Sequence, residues 1–156
     1  MAALGDAGEA PPHVVIAYDI LGGTFAVNGG GLPCDMGEVA YFAPDTLTWQ
    51  GLGQGHSDFV NWALTGNLPA FYASLRWPGW ESEAESLPLT CGLAVFPPLF
   101  SEEALADLAA TSRAEVPWDE VVGTQAEMAA QLREVPDGSQ FRVSVEPSEK
   151  RRWRRR

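Results

Sequence analysis

Hydrophobic positions first cluster at His13-Val14-Val15-Ile16-Ala17-Tyr18-Asp19-Ile20, a nearly continuous apolar run whose β-branched weight predicts a buried strand. Leu21-Gly22-Gly23 is a tight turn. Thr24-Phe25-Ala26-Val27 then predicts a second strand, antiparallel to the first because the link is so short. An irregular glycine-rich loop follows from Asn28 to Pro33, and Glu38 to Ala43 reads as a third strand. After a turn at Pro44-Asp45, Thr46-Leu47-Thr48-Trp49-Gln50 alternates with period two, which suits a sheet with one wet face. These segments predict a four-stranded antiparallel meander.

The period changes after Gly51-Leu52-Gly53-Gln54-Gly55-His56, which reads as a loop. Ser57 is the expected N-cap of a helix carrying Phe59, Trp62 and Ala63 on one face and ending at Gly66. Pro69 opens a second short helix that directs Phe71, Tyr72 and Leu75 inward. Trp77-Pro78-Gly79-Trp80 breaks it, and Glu81 to Ser86 adds an acidic helical turn. Thr90 to Phe96 reads as a fifth strand, Ser101 caps a helix from Glu102 to about Ser112, and a last helix runs from Trp118 to about Glu134. The expected architecture is α+β: a mainly antiparallel sheet of about five strands with helices packed on one side. Residues 1–12 are expected to be loose, 13–135 to form the domain, and 136–156 to be a disordered tail.

Composition adds a charge split to this picture. The net charge of −11 conceals a body, residues 1–149, with all 21 acids and only Arg76, Arg113, Arg133 and Arg142, a formal charge of −17. The last seven residues, with Lys150, Arg151, Arg152, Arg154, Arg155 and Arg156 around Trp153, are a polycation suited to anionic surfaces. A body this acidic repels nucleic acid and attracts basic partners. No apolar run is long enough to cross a membrane and the N-terminus lacks a signal-peptide pattern, so the expected compartment is the cytoplasm. Cys34 and Cys91 belong to no Cys/His cluster and read as buried thiols.

Candidate chemistry is sparse. Gly51-Leu52-Gly53-Gln54-Gly55 falls one place short of a dinucleotide fingerprint and follows a meander strand instead of opening a βαβ unit. There is no phosphate-loop motif, no nucleophile elbow and no metal-ligand spacing, so no cofactor or metal is expected. The only histidines are His13 and His56. A triad of Cys34 or Cys91 with His56 and Asp45 is a paper arrangement, and Asp19, Asp35, Glu38 and Asp45 read as turn formers before they read as acid/base pairs. Trp77 and Trp80, with Glu81 beside them, are candidate partner-binding anchors, against the alternative that both rings cap the sheet.

The string Leu21-Gly22-Gly23-Thr24-Phe25-Ala26-Val27-Asn28-Gly29-Gly30, then Gly37 to Trp49, Ser57 to Gly66, Phe71-Tyr72 and Arg76-Trp77-Pro78-Gly79-Trp80-Glu81, resembles the bacterial domain-of-unknown-function family DUF2625 over roughly residues 13–133. The layout is more distantly similar to the SMI1/KNR4-like (SUKH) superfamily. The first resemblance implies no assigned activity. The second implies a non-enzymatic α+β binding domain, often an immunity protein that neutralises a toxin. The DUF2625 resemblance implies a helical segment ahead of the first matching strand, where only about a dozen residues stand here, so a truncated or misassigned start is the expectation. The resemblance does not account for the basic tail. The leading expectation is a non-enzymatic protein-binding module of immunity-like type that engages a basic partner. Its rivals are a small-ligand protein or enzyme with a cleft near Asn28–Asp35 and Gly51–His56, and a domain tethered to anionic surfaces by its tail.

Overall fold

Four strands, β1 (His13–Tyr18), β2 (Thr24–Asn28), β3 (Glu38–Ala43) and β4 (Thr48–Gly55), pair antiparallel in chain order in the computed structural model, which describes residues 11–135. The expected meander is therefore present, with β1 and β4 as its edges. A bulge between Val15 and Ala17 lets both Ile16 and Ala17 reach the core side. Phe25 and Val27 of β2 and Val39, Tyr41 and Ala43 of β3 share one face, as period-two alternation requires. Helix α1 (His56–Thr65) and the short α2 (Leu68–Phe71) cover that face with Phe59, Trp62 and Phe71.

The fifth strand does not join this sheet. β5 (Cys91–Phe96) pairs with β6 (Ser112–Pro117) in a separate two-stranded sheet, so the expected five-stranded sheet is replaced by four plus two. β6 begins where the expected helix ends, at Ser112, and occupies the stretch between the two helices that the sequence pattern predicts. α4 (Glu102–Ala106) stops early and yields to a single 3-10 turn, Leu108–Ala110. The sequence Ser-Arg-Ala-Glu-Val-Pro has little strand preference of its own, and its six-residue register with β5 overrides that. α5 (Trp118–Leu132) then packs on this smaller sheet, with Val121 and Ala129 buried.

Two further differences are local. β4 continues through Gly51–Gly55, which the glycines mark as loop. Beyond a register shift the Glu38 carboxylate takes the Gly53 N–H, and Glu38 itself pairs with Gly55. α1 starts at His56 with Gly55 in the cap position and no side-chain cap, so Ser57 is not its N-cap. Pro12, at the end of the stretch expected to be loose, accepts hydrogen bonds from the Gly29 and Gly31 amides at 3.0 and 2.9 Å. The tail and its basic cluster lie outside the described residues.

The two sheets meet at the β1–β2 turn. The Ile20 carbonyl accepts the Leu93 amide of β5 at 2.7 Å, and the Leu21 carbonyl accepts Gln125 Nε2 of α5 at 2.7 Å. Leu21, Leu75, Trp77, Leu93 and Leu99 form a second core around this junction, distinct from the first.

Candidate functional site

Where the two sheets meet, a cleft of about 500 Å³ opens between the end of β1 and the segments around α3 (Trp80–Ser86). Tyr18, Asp19, Ile20 and Leu21 form one wall; Tyr72, Arg76, Trp80, Leu87, Leu89, Cys91 and Trp118 form the rest. Tyr18 stacks on Trp118 with ring centroids 5.7 Å apart, and Trp118 Nε1 donates to the Leu89 carbonyl at 3.0 Å. These contacts fix the first residue of α5 against β1 and the segment before β5. Leu89 is 98% exposed and Tyr18 44%, so the rim presents apolar surface to solvent.

Asp19 sits at the floor and is fully engaged. Its Oδ1 accepts the Leu21 and Gly23 amides, both at 2.9 Å, which fixes the turn. Its Oδ2 accepts the Tyr41 hydroxyl at 2.7 Å and the Tyr72 hydroxyl at 3.0 Å, joining β1 to β3 and to the end of α2. Burial, and next the nearby Asp19 charge, push both phenols well above their ordinary range. The sequence expectation of a turn former is correct for Oδ1, and Oδ2 ties three elements together. With four donors on two oxygens, this carboxylate has little capacity left for proton transfer.

Arg113 and Arg76 are treated differently. Arg113 Nε donates to both Glu83 oxygens at 3.2 and 3.1 Å, and its Nη1 donates to the Leu108 and Thr111 carbonyls and the Thr111 hydroxyl. Arg76, on the cleft wall, lies with Cζ 3.5 Å from the centroid of the Trp80 ring and 4.9 Å from that of Tyr72. Both are cation–π distances. Among the described residues it forms no hydrogen bond or ion pair, and its Nε is buried without an acceptor.

Of the anchors expected from sequence, Trp80 lines the cleft and Glu81 is exposed beside it at the start of α3. Trp77 is not a surface anchor. It is 5% exposed, its Nε1 donates to Glu83 at 2.9 Å, and Arg113 lies 4.7 Å over its ring, so it belongs to the core. The divergence follows from Gly79, whose φ of +85° turns the chain between the two rings.

Around Asn28–Asp35 and Gly51–His56, where the rival cleft is expected, Asn28 and Glu38 spend their polar groups on the backbone of their own loops. Asn28 Nδ2 donates to the carbonyls of Leu32, Cys34 and Asp35, while its Oδ1 accepts the Gly30 and Leu32 amides. Glu38 accepts the Asp35 and Gly53 amides. His56 is exposed on the first turn of α1, and no contact joins it to Cys34, Cys91 or Asp45 among the described residues. Burial, with the Glu38 charge adding to it, pushes the Cys34 thiol up, opposite to what a nucleophile needs. Both cysteines are free thiols. Arg76, Tyr72, Tyr18 and Trp118 are the cleft residues that sequence reasoning missed. The available signal was the spacing Tyr72-x-x-x-Arg76-x-x-x-Trp80, which sets one cation between two aromatics.

The chain belongs to the DUF2625 family: the family model described as "Protein of unknown function DUF2625" matches residues 1–121, which include all of the cleft. It is 47% identical over 91 residues to the uncharacterized protein YbfG of Escherichia coli (strain K12), covering 57% of this chain and 42% of that protein. It is 37% identical over 82 residues to an uncharacterized protein of Haemophilus influenzae (strain ATCC 51907 / DSM 11121 / KW20 / Rd), covering 53% and 36%. The matched segments thus span less than half the length of these relatives. No solved structure matches the chain. Among the described residues, no helix is long and apolar enough to cross a membrane.

Proposed function

We propose that this DUF2625 domain is a non-enzymatic binding module for a protein partner, with the rim of the inter-sheet cleft as its recognition surface. The observation that carries this reading is the composition of that rim. Tyr18, Trp80, Trp118 and Arg76 line the cleft together with Leu89, which has almost no cover, and Trp, Tyr and Arg are the residues enriched at interface hot spots. The acidic body supplies the second half of the reading. A surface at −17 steers a basic protein toward it and speeds encounter more than it tightens the complex. Specificity then rests on the aromatic rim. A toxin-neutralising role, which an SMI1/KNR4-like relationship implies, is the sharpest form of this proposal.

The test is affinity capture with the purified domain from the organism of origin, comparing wild type with Trp80→Ala and Leu89→Asp. A basic protein retained at low salt, released as salt rises, and lost with either variant supports the reading. Retention that both variants leave unchanged would remove the rim from it.

A further inference from the structure

We propose that Arg76 is a receptor for a carboxylate borne on an apolar body, and that the cleft is the pocket for that body. The inference deepens the preceding reading and rests on it for the cleft being the recognition site.

A guanidinium presents five N–H groups in a planar fork that matches a carboxylate. Arg113 uses its fork on Glu83 and on backbone carbonyls, so this fold can saturate an arginine when the role is structural. Arg76 is held in place without being saturated. Tyr72 and Trp80 attract its charge through their π faces, yet no oxygen accepts any of its N–H groups among the described residues. Burying a donor without an acceptor is costly, so the orphaned Nε calls for an explanation; the Nη groups are not buried, and on the cleft wall a ligand oxygen can meet them.

The groups around it define the ligand. Asp19 lines the same cleft and keeps its charge, but its oxygens are occupied by four donors and no contact ion pair joins it to Arg76, so the guanidinium N–H groups remain open to another oxygen. A cationic ligand would meet Arg76 as a like charge, with the aromatic faces of Tyr72 and Trp80 already engaged. A carboxylate meets a free fork. The remaining lining, Leu87, Leu89, Trp118 and Tyr18, is apolar or aromatic and suits the side chain or ring next to that carboxylate. The source is either the terminus of a partner chain or a free small acid. The chemistry at Arg76 is the same for both.

The test titrates the folded domain with four probes: acetyl-Leu-Phe as free acid and as amide, and phenylacetate against phenylacetamide. Heat of binding gives affinity, and the Arg76 Nε–H resonance reports contact. Each acid is expected to bind roughly tenfold or more tightly than its amide, because a bidentate charge-assisted pair is lost in the amide. Arg76→Gln, checked for an unchanged thermal transition, should abolish the discrimination. Arg76→Lys should keep part of it, since charge remains but the fork does not, and it decides the matter if Arg76→Gln unfolds. Discrimination with the peptide pair alone assigns a partner terminus, and with the phenylacetate pair alone a free acid. Equal binding of acid and amide, no binding of any probe at millimolar concentration, or discrimination that survives Arg76→Gln overturns the proposal. Partner capture without discrimination would sink only this inference. Discrimination without partner capture would sink only the protein-binding reading.

Discussion

Replacing Asp19 tests whether the floor of the cleft is a structural junction. Asp19→Ala removes one acceptor for two backbone amides and two phenols at once. Leu21, Gly23 and Tyr41 are buried, so their donors lose a partner where water has little access. An orphaned donor costs about 1–3 kcal/mol. Cleft water can reach the Tyr72 side, so the four do not simply add, and a loss of about 3–4 kcal/mol follows from the three enclosed donors at the low end of that range. Domains of this size are stable by roughly 5–15 kcal/mol, so the variant should fold but lose a large share of its margin.

Asp19→Asn is the discriminating partner variant. Its amide oxygen still takes both backbone N–H groups, but its NH2 faces two hydroxyls that need an acceptor, and about 1–2 kcal/mol should go. Urea unfolding followed by tryptophan fluorescence measures both, with the slope against denaturant checking that the end states are unchanged. In a double-mutant cycle, Asp19→Asn should couple to Tyr41→Phe, because one hydrogen bond contains both. A loss below about 0.5 kcal/mol for Asp19→Ala, the scale of an ordinary surface change, would refute the junction.

Stability should fall steeply in alkali. Tyr41 and Tyr72 hold their protons in the folded state well beyond the ordinary phenol value near 10. Below pH 10 both states carry both protons and nothing is lost; above it only the unfolded chain releases them, and each phenol removes about 1.4 kcal/mol per pH unit. Unfolding free energies measured from pH 9 to 11 check this, and a flat profile would contradict it. Glu83→Ala should cost about 2–3 kcal/mol in the same urea assay, because it strips the half-buried Arg113 of its counter-ion and Trp77 of its acceptor. Gly92→Ala should cost about 1–3 kcal/mol, since a Cβ there lies 2.6 Å from Trp118 Cζ3 and 3.2 Å from the Ile20 carbonyl. Near-ultraviolet circular dichroism should record the displaced Trp118 ring, and an unchanged spectrum with unchanged stability would show that the contact yields freely.

What could be read ahead of the structure was what local pattern encodes. The meander strands are apolar runs or alternations and α1 carries its i, i+3, i+4 face, so β1 to β3 and α1 stand close to where expected, while β4 extends into the stretch read as loop. β6 could not be read that way, because its strand state comes from β5, sixteen or more residues distant in sequence. The split into two sheets has the same origin. Trp77 and Trp80 look alike in sequence, flanking the same Pro-Gly step, yet one is core and the other cleft wall because a backbone turn separates them. The junction at Asp19 joins residues 22 and 53 positions away, which no periodicity reports. In sequence Arg76 is one of four arginines in the body, marked out by its place four residues from both Tyr72 and Trp80. That Arg113 is saturated and Arg76 is not emerges only from three-dimensional contacts.

The last consequence concerns how an acidic domain can choose an anion. A free carboxylate approaching Arg76 must cross the field of a body at −17, while a carboxylate within a basic polypeptide is drawn in by its neighbours. Exposed Glu81 and Glu85, on the helix that starts at Trp80, place part of that field beside the rim. At physiological salt the field reaches about 8 Å, and at 1 M about 3 Å, so added salt weakens both effects. The two kinds of ligand should therefore respond with opposite sign. Phenylacetate should bind more tightly as salt rises from about 20 to 300 mM, until competition by the salt anion at Arg76 sets in, and acetyl-Lys-Lys-Leu-Phe acid should bind less tightly throughout. Titrations with a weakly coordinating salt separate screening from competition. If both ligands weakened in parallel from the lowest salt, the body's charge would play no part in selection, and Arg76 alone would set what enters the cleft.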